Sequence, residues 1–151
     1  MFRGASKLTL DAKGRMAIPA RYREALHDQA NNQLVITVNP SDPALWIFPL
    51  PEWEKAQVQL MELSSFQLES RRLKQLLMGY ATDVTLDSHG RMLLTPELRE
   101  YAGLDKQVML VGQTHRFELW DEQAWHATFK TWREGLGKSE KLTAEIEGLN
   151  I

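Results

Sequence analysis

The chain has 151 residues, enough for one ordinary domain or two small ones, and its 43% hydrophobic and 25% charged content is that of a folded globular protein. It has no Cys, which excludes disulfides and thiolate chemistry and fits a reducing compartment, and its net charge of −2 names no partner by itself. The opening MFRGASKL lacks the apolar stretch of a signal peptide, and the longest apolar run, residues 44–50, is far below the roughly 20 residues a membrane helix needs, so a cytoplasmic protein without a membrane partner is expected.

Residues 7–10 alternate polar and apolar, as a half-buried strand does. Asp11-Ala12-Lys13-Gly14 reads as a turn, because Asp bonds the backbone two residues on and Gly accepts positive φ. A strand resumes at 15–18, and Pro19 suits the first turn of a short helix. Two apolar strands follow at 34–38 and 45–48, then helical matter over 52–79. There Glu52 and Glu54 complement the helix dipole, and Trp53, Ala56, Leu60 and Leu63 keep helical spacing. Ser64 with Gln67 reads as a capping box. Phe66, Leu73, Leu76, Leu77 and Tyr80 form an apolar stripe, Arg71, Arg72 and Lys74 solvate other faces, and Gly79 closes the helix.

From residue 80 the order begins again. A turn at Asp87 and Gly90 leads into Arg91, Pro96 opens a short helix, and strands follow at 108–111 and 117–120. Asp121 is the expected N-cap of a helix whose Trp125, Phe129 and Trp132 share one apolar, core-facing side. The polar stretch after Gly135 is expected to be mobile.

The two halves are copies. LDAKGRMAIP at 10–19 returns as LDSHGRMLLT at 86–95, and seven of the seventeen aligned positions from 10 to 26 are identical, including Arg23 with Arg99 and Glu24 with Glu100. Arg15 and Arg91 each project at the exit of a turn that Asp11 and Gly14, or Asp87 and Gly90, hold in shape. The copies differ in charge. Residues 1–26 hold six basic residues (Arg3, Lys7, Lys13, Arg15, Arg21 and Arg23) against two acidic, whereas residues 80–105 hold two basic against five acidic, with His89 in place of Lys13. A basic cap on an acidic body points to an anionic partner, with the first copy facing it.

Enzyme chemistry finds no constellation. His27, His89, His115 and His126 lack metal-ligand spacing, so no metal and no cofactor are expected. GLGKS at 135–139 imitates the end of a phosphate loop, but Trp132 stands where that loop needs its first Gly and no strand precedes it.

The paired Asp-x-x-Gly-Arg turns, each followed by a helix ending near Arg23 or Arg99, resemble two tandem AbrB-type domains. With Met1-Phe2-Arg3-Gly4, LPEWE at 50–54, RRLKQLLMGYA at 71–81 and FELWDEQAW at 117–125, the chain from 1 to about 134 resembles the MraZ family of bacterial transcriptional regulators. The resemblance implies an α+β fold: two tandem AbrB-like, swapped-hairpin-barrel repeats forming one pseudo-symmetric unit. Repeat one would span 1–51, connecting helices 52–79, repeat two 80–122, and a C-terminal helix with its tail 123–151. It implies a nucleoid-associated repressor of the division and cell-wall gene cluster, its own gene included. It also implies binding to short direct repeats in double-stranded DNA by a homo-oligomeric ring of about eight or more subunits. Arg3, Lys7, Lys13, Arg15, Arg21 and Arg91 are the expected DNA contacts, with Asp11, Gly14, Asp87 and Gly90 structural. An antitoxin-type protein-binding module and a purely structural ring are the alternatives.

Overall fold

The structure is a computed structural model, and it describes residues 1–136 and 139–150. Residues 1–121 form one compact unit and residues from 122 onward a second. The first unit contains, in order, β1 (Ala5–Thr9), β2 (Arg15–Ala17), α1 (Ala20–Ala30), β3 (Gln33–Val38), β4 (Ala44–Pro49), α2 (Leu50–Met61), α3 (Leu68–Tyr80), β5 (Thr82–Thr85), β6 (Arg91–Leu93), α4 (Pro96–Tyr101), β7 (Gln107–Gly112) and β8 (Phe117–Asp121). The second contains α5 (Glu122–Glu134) and α6 (Glu140–Glu147). No helix among the described residues is long and apolar enough to cross a membrane.

Two sheets build the first unit. Six antiparallel strands run β1-β7-β8-β4-β3-β5, and β2 pairs with β6 in a separate two-stranded ribbon. The order is a palindrome once each strand is matched to its copy: β1 of repeat one lies on β7 of repeat two, and β5 of repeat two lies on β3 of repeat one. The repeats therefore interleave and close one core, giving the pseudo-symmetric α+β unit expected of tandem AbrB-like domains.

Core positions obey the same symmetry. Leu10, Met16, Ile18, Tyr22 and Leu26 are buried, and so are their counterparts Leu86, Met92, Leu94, Leu98 and Ala102. All ten belong to one apolar cluster with the inward residues of β3, β4, β7 and β8. Neither copy could cover these side chains alone, and burying apolar side chains at about 1.5–3 kcal/mol each favours the interleaved arrangement.

Several local expectations give way to packing. Pro19 is the N-cap of α1 rather than part of its first turn; its counterpart Thr95 caps α4 by accepting from Leu98 N at 3.4 Å, with Pro96 just inside. The Ser64–Gln67 capping box does not form: α3 starts only at Leu68, and Ser64 Oγ instead accepts from Phe66 N within the link. Phe66, ahead of the helix, is 98% exposed and leaves the apolar stripe, while Leu77 is buried and Leu73, Leu76 and Tyr80 pack on the core. Gly79 lies inside α3, which continues to Tyr80. Arg71 and Lys74 close the α2–α3 link by donating to Ser65, at 3.1 Å to its carbonyl and 3.0 Å to its hydroxyl.

In the second unit, the Trp125 and Phe129 rings meet tilted with centroids 4.3 Å apart and Trp132 lies edge-on to Phe129 at 6.3 Å, on the helical face the spacing predicts. No residue of α5 is buried, so this face is not core. The stretch beyond Gly135 is not wholly irregular, because Ser139 accepts from Leu142 N at 3.1 Å and caps α6. Gly137 and Lys138 of GLGKS lie outside the described residues.

Candidate nucleic-acid interface

The site is built on the β2–β6 ribbon and the turn before each of its strands. In the first turn Asp11 Oδ1 accepts from Lys13 N at 2.9 Å and Arg15 N at 2.8 Å, and Gly14 N donates to Asp11 O at 3.0 Å. In the second, Asp87 Oδ1 accepts from His89 N at 2.8 Å and Arg91 N at 2.9 Å, and Gly90 N donates to Asp87 O at 3.0 Å. Gly14 at φ +85° and Gly90 at φ +72° occupy the left-handed region, which is why each turn needs glycine there.

The second carboxylate oxygen orients the arginine. Arg15 Nε donates to Asp11 Oδ2 at 2.8 Å, and Arg91 Nε donates to Asp87 Oδ2 at 3.0 Å. The backbone donor of Arg15, then its guanidinium and the Lys13 amide, hold the Asp11 carboxyl well below the usual range, from 3.8 to about 2. The same arrangement, led by the Arg91 amide, lowers Asp87 to about 2. Both aspartates are thus carboxylates fixed by three donors of their own turn, two backbone amides and the arginine Nε.

Strand register decides where those forks lie. Arg15 pairs with Leu93, Met16 with Met92 and Ala17 with Arg91. Paired residues share a face, so the buried methionines point inward while Arg15, Ala17, Arg91 and Leu93 share the outer face. Arg15 and Arg91 are diagonal neighbours, about 7–8 Å apart at Cα by strand geometry. Among the described residues, neither arginine has a hydrogen-bond partner at its terminal nitrogens. Leu93, 51% exposed, completes an outer surface with two cationic forks and one apolar side chain.

The other expected contacts are placed differently. Lys13 is exposed in the turn directly before Arg15 and so belongs to this surface. Lys7 is exposed on β1 opposite Met109. Arg3 and Arg21 lie at the far end of β1 from the turn: Arg21 donates to Ser6 Oγ at 2.7 Å and stacks on Tyr22 at 4.7 Å, while the Arg3 carbonyl accepts from Tyr22 Oη at 2.5 Å. Their contacts tie them to Ser6 and Tyr22 rather than to the ribbon turns.

Arg23 and Arg99, which the sequence marks as matching positions and Arg23 also as part of the basic cap, do something that neither reading contains. Arg23 Nε donates to Ile18 O at 2.8 Å, and its guanidinium covers Gly90 of the other repeat. Arg99 Nε donates to Leu94 O at 3.2 Å, and its guanidinium covers Gly14. The signal was their identity in both copies, shared on that helix only by the adjacent Glu24 and Glu100.

Two segments of the chain, residues 1–76 and 77–145, match the model of the MraZ family, described as "MraZ protein, putative antitoxin-like". The chain is 54% identical over 127 residues to proteins named "Transcriptional regulator MraZ" from Pseudomonas aeruginosa, from Pseudomonas savastanoi pv. phaseolicola and from Pseudomonas putida, covering 84% of this chain and 84% of each relative. Two matches in tandem, spanning both copies of the Asp-x-x-Gly-Arg turn, accord with the interleaved repeats. The chain belongs to the MraZ family.

Proposed function

We propose that this chain is a sequence-specific DNA-binding transcriptional regulator whose reading surface is the outer face of the β2–β6 ribbon. The observation that carries the reading is the shared outer face of Arg15 and Arg91, each with Nε held by its own aspartate and its side chain partly exposed. A two-stranded ribbon fits the major groove, and an arginine fork pairs with the O6 and N7 acceptors of guanine. Lys13 adds a phosphate contact beside Arg15, and exposed Leu93 suits a thymine methyl. Arg3, Lys7 and Arg21 supply more distant positive charge that favours approach to the duplex.

The regulator acts in the cytoplasm on nucleoid DNA, repressing the division and cell-wall gene cluster together with its own gene. One ribbon offers few base contacts, so a homo-oligomeric ring engaging several short direct repeats at once raises affinity through effective concentration. Footprinting on the DNA upstream of its own gene tests this. Protection of evenly spaced short repeats is expected. Binding no tighter to that DNA than to unrelated duplex would reject it and favour a protein partner for the ribbon.

A further inference from the structure

We infer that Arg99 is the positioning residue for the first turn and Arg23 for the second, so that each DNA-facing turn is set by a side chain of the opposite repeat. The inference rests on the reading of the ribbon as the DNA surface, but its geometry stands apart from that reading.

A continuous chain of bonds joins Arg99 to Arg15. Arg99 Nε donates to Leu94 O, Leu94 N donates to Gly14 O at 2.9 Å, Gly14 N donates to Asp11 O, and Asp11 holds both the amide and the Nε of Arg15. The mirror chain runs from Arg23 Nε to Ile18 O, from Ile18 N to Gly90 O at 2.8 Å, from Gly90 N to Asp87 O, and from Asp87 to Arg91. Each chain crosses between repeats once, at the ribbon hydrogen bond.

Packing reinforces the bonds. A Cβ on Gly14 would stand 2.8 Å from Arg99 Nε and 2.9 Å from its Cζ, closer than real contacts allow. A Cβ on Gly90 would overlap Arg23 Nε and lie 2.9 Å from its Cδ. The flat guanidinium thus fills the place a side chain would take, and both glycines are buried beneath it. A lysine cannot reproduce this, because it has no planar Nε–H group to bond the carbonyl while covering the glycine. The lone retained Arg-Glu pair after the ribbon therefore has a local use: its arginine belongs to the other copy's turn.

Hydrogen exchange at single-amide resolution on the full chain tests the crossing. Arg99→Ala should speed exchange of the Lys13 and Arg15 amides by up to about tenfold, the upper end of what losing one hydrogen bond gives. It should leave His89 and Arg91 near the parent rate. Arg23→Ala should do the reverse, and Arg99→Lys should behave like Arg99→Ala. If an alanine variant fails to fold, Arg99→Gln and Arg23→Gln carry the same comparison. Effects on the variant's own repeat, equal effects on both turns, or no effect would overturn the inference. Loss of operator binding by Arg99→Ala with unchanged exchange would also overturn it, because Arg99 would then touch DNA itself. Normal operator binding by Arg15→Ala with the crossed exchange pattern intact would instead reject the ribbon as the DNA surface and leave the positioning role standing.

Discussion

Met16 and Met92 face each other across the β2–β6 ribbon, each 2% exposed and each the other's counterpart in the repeat. The pseudo-twofold axis of the unit passes between them. Everything outward of that pair is therefore nearly duplicated: Arg15 beside Leu93, Arg91 beside Ala17, one Asp-held turn at each end. A single chain achieves the two-sided surface that a dimer of single-copy domains would otherwise supply.

Replacing Arg15 with Ala is expected to cost about 1–3 kcal/mol of discrimination per engaged site, multiplied where several subunits bind together. The backbone of the turn keeps its Asp11 bonds in this variant, so circular dichroism should match the parent. Titration of operator and unrelated duplex by fluorescence anisotropy gives the loss directly.

Arg91→Ala should also weaken operator binding, but by less. The local charge argues for asymmetry, since Lys13 stands beside Arg15 whereas His89 stands at the equivalent place in the second turn. Acidic residues elsewhere in the second copy do not move Arg91 off the shared face, so its net charge is a poorer guide than register. Side-by-side titration of both variants at one salt concentration settles the order; equal losses would show that the turns read DNA alike.

The aspartates give a pH dependence with a fixed sign. Asp11 and Asp87 have carboxyls lowered from 3.8 to about 2 in the folded chain. A depressed pKa contributes stability that is present above the unfolded value and is lost as pH falls through the folded one. Between about pH 4 and pH 2 the parent should therefore lose melting temperature more steeply than an Asp11→Asn, Asp87→Asn double variant. Parallel curves from thermal melts across that window would contradict the assigned role.

Gly14→Ala is expected to destabilise by about 1–2 kcal/mol for the left-handed backbone alone, with more from overlap with the Arg99 guanidinium. Gly103→Ala provides the comparison, because Gly103 also has positive φ (+60°) yet has nothing within 4 Å of an added Cβ. Denaturant titrations should rank Gly14→Ala as the costlier change.

What was legible in the sequence was local. Asp-x-x-Gly-Arg announces a turn because each residue type answers a local backbone demand, and the strands at 34–38, 45–48, 108–111 and 117–120 follow from their apolar runs. The repeat made the two arginines equivalent. Pairing across repeats was not legible, because β1 meets β7 and β3 meets β5 through contacts far apart in sequence. For the same reason the placement of Arg15 and Arg91 on one face, and of Arg99 over Gly14, emerged only from register. The Ser64–Gln67 motif shows the converse error: the pattern was present, but the link closed through Ser65, and α3 began later.

In the proposed function the ribbon face, through Arg15 and Arg91 together, is where this chain meets DNA. The most direct measurement is operator affinity of the Arg15→Ala, Arg91→Ala double variant across a salt series, with assembly size checked by light scattering. An assembly of parental size is expected whose operator affinity falls to that for unrelated duplex, with a shallower dependence of log affinity on log salt. An assembly of parental size that binds operator with parental affinity and salt slope would contradict it.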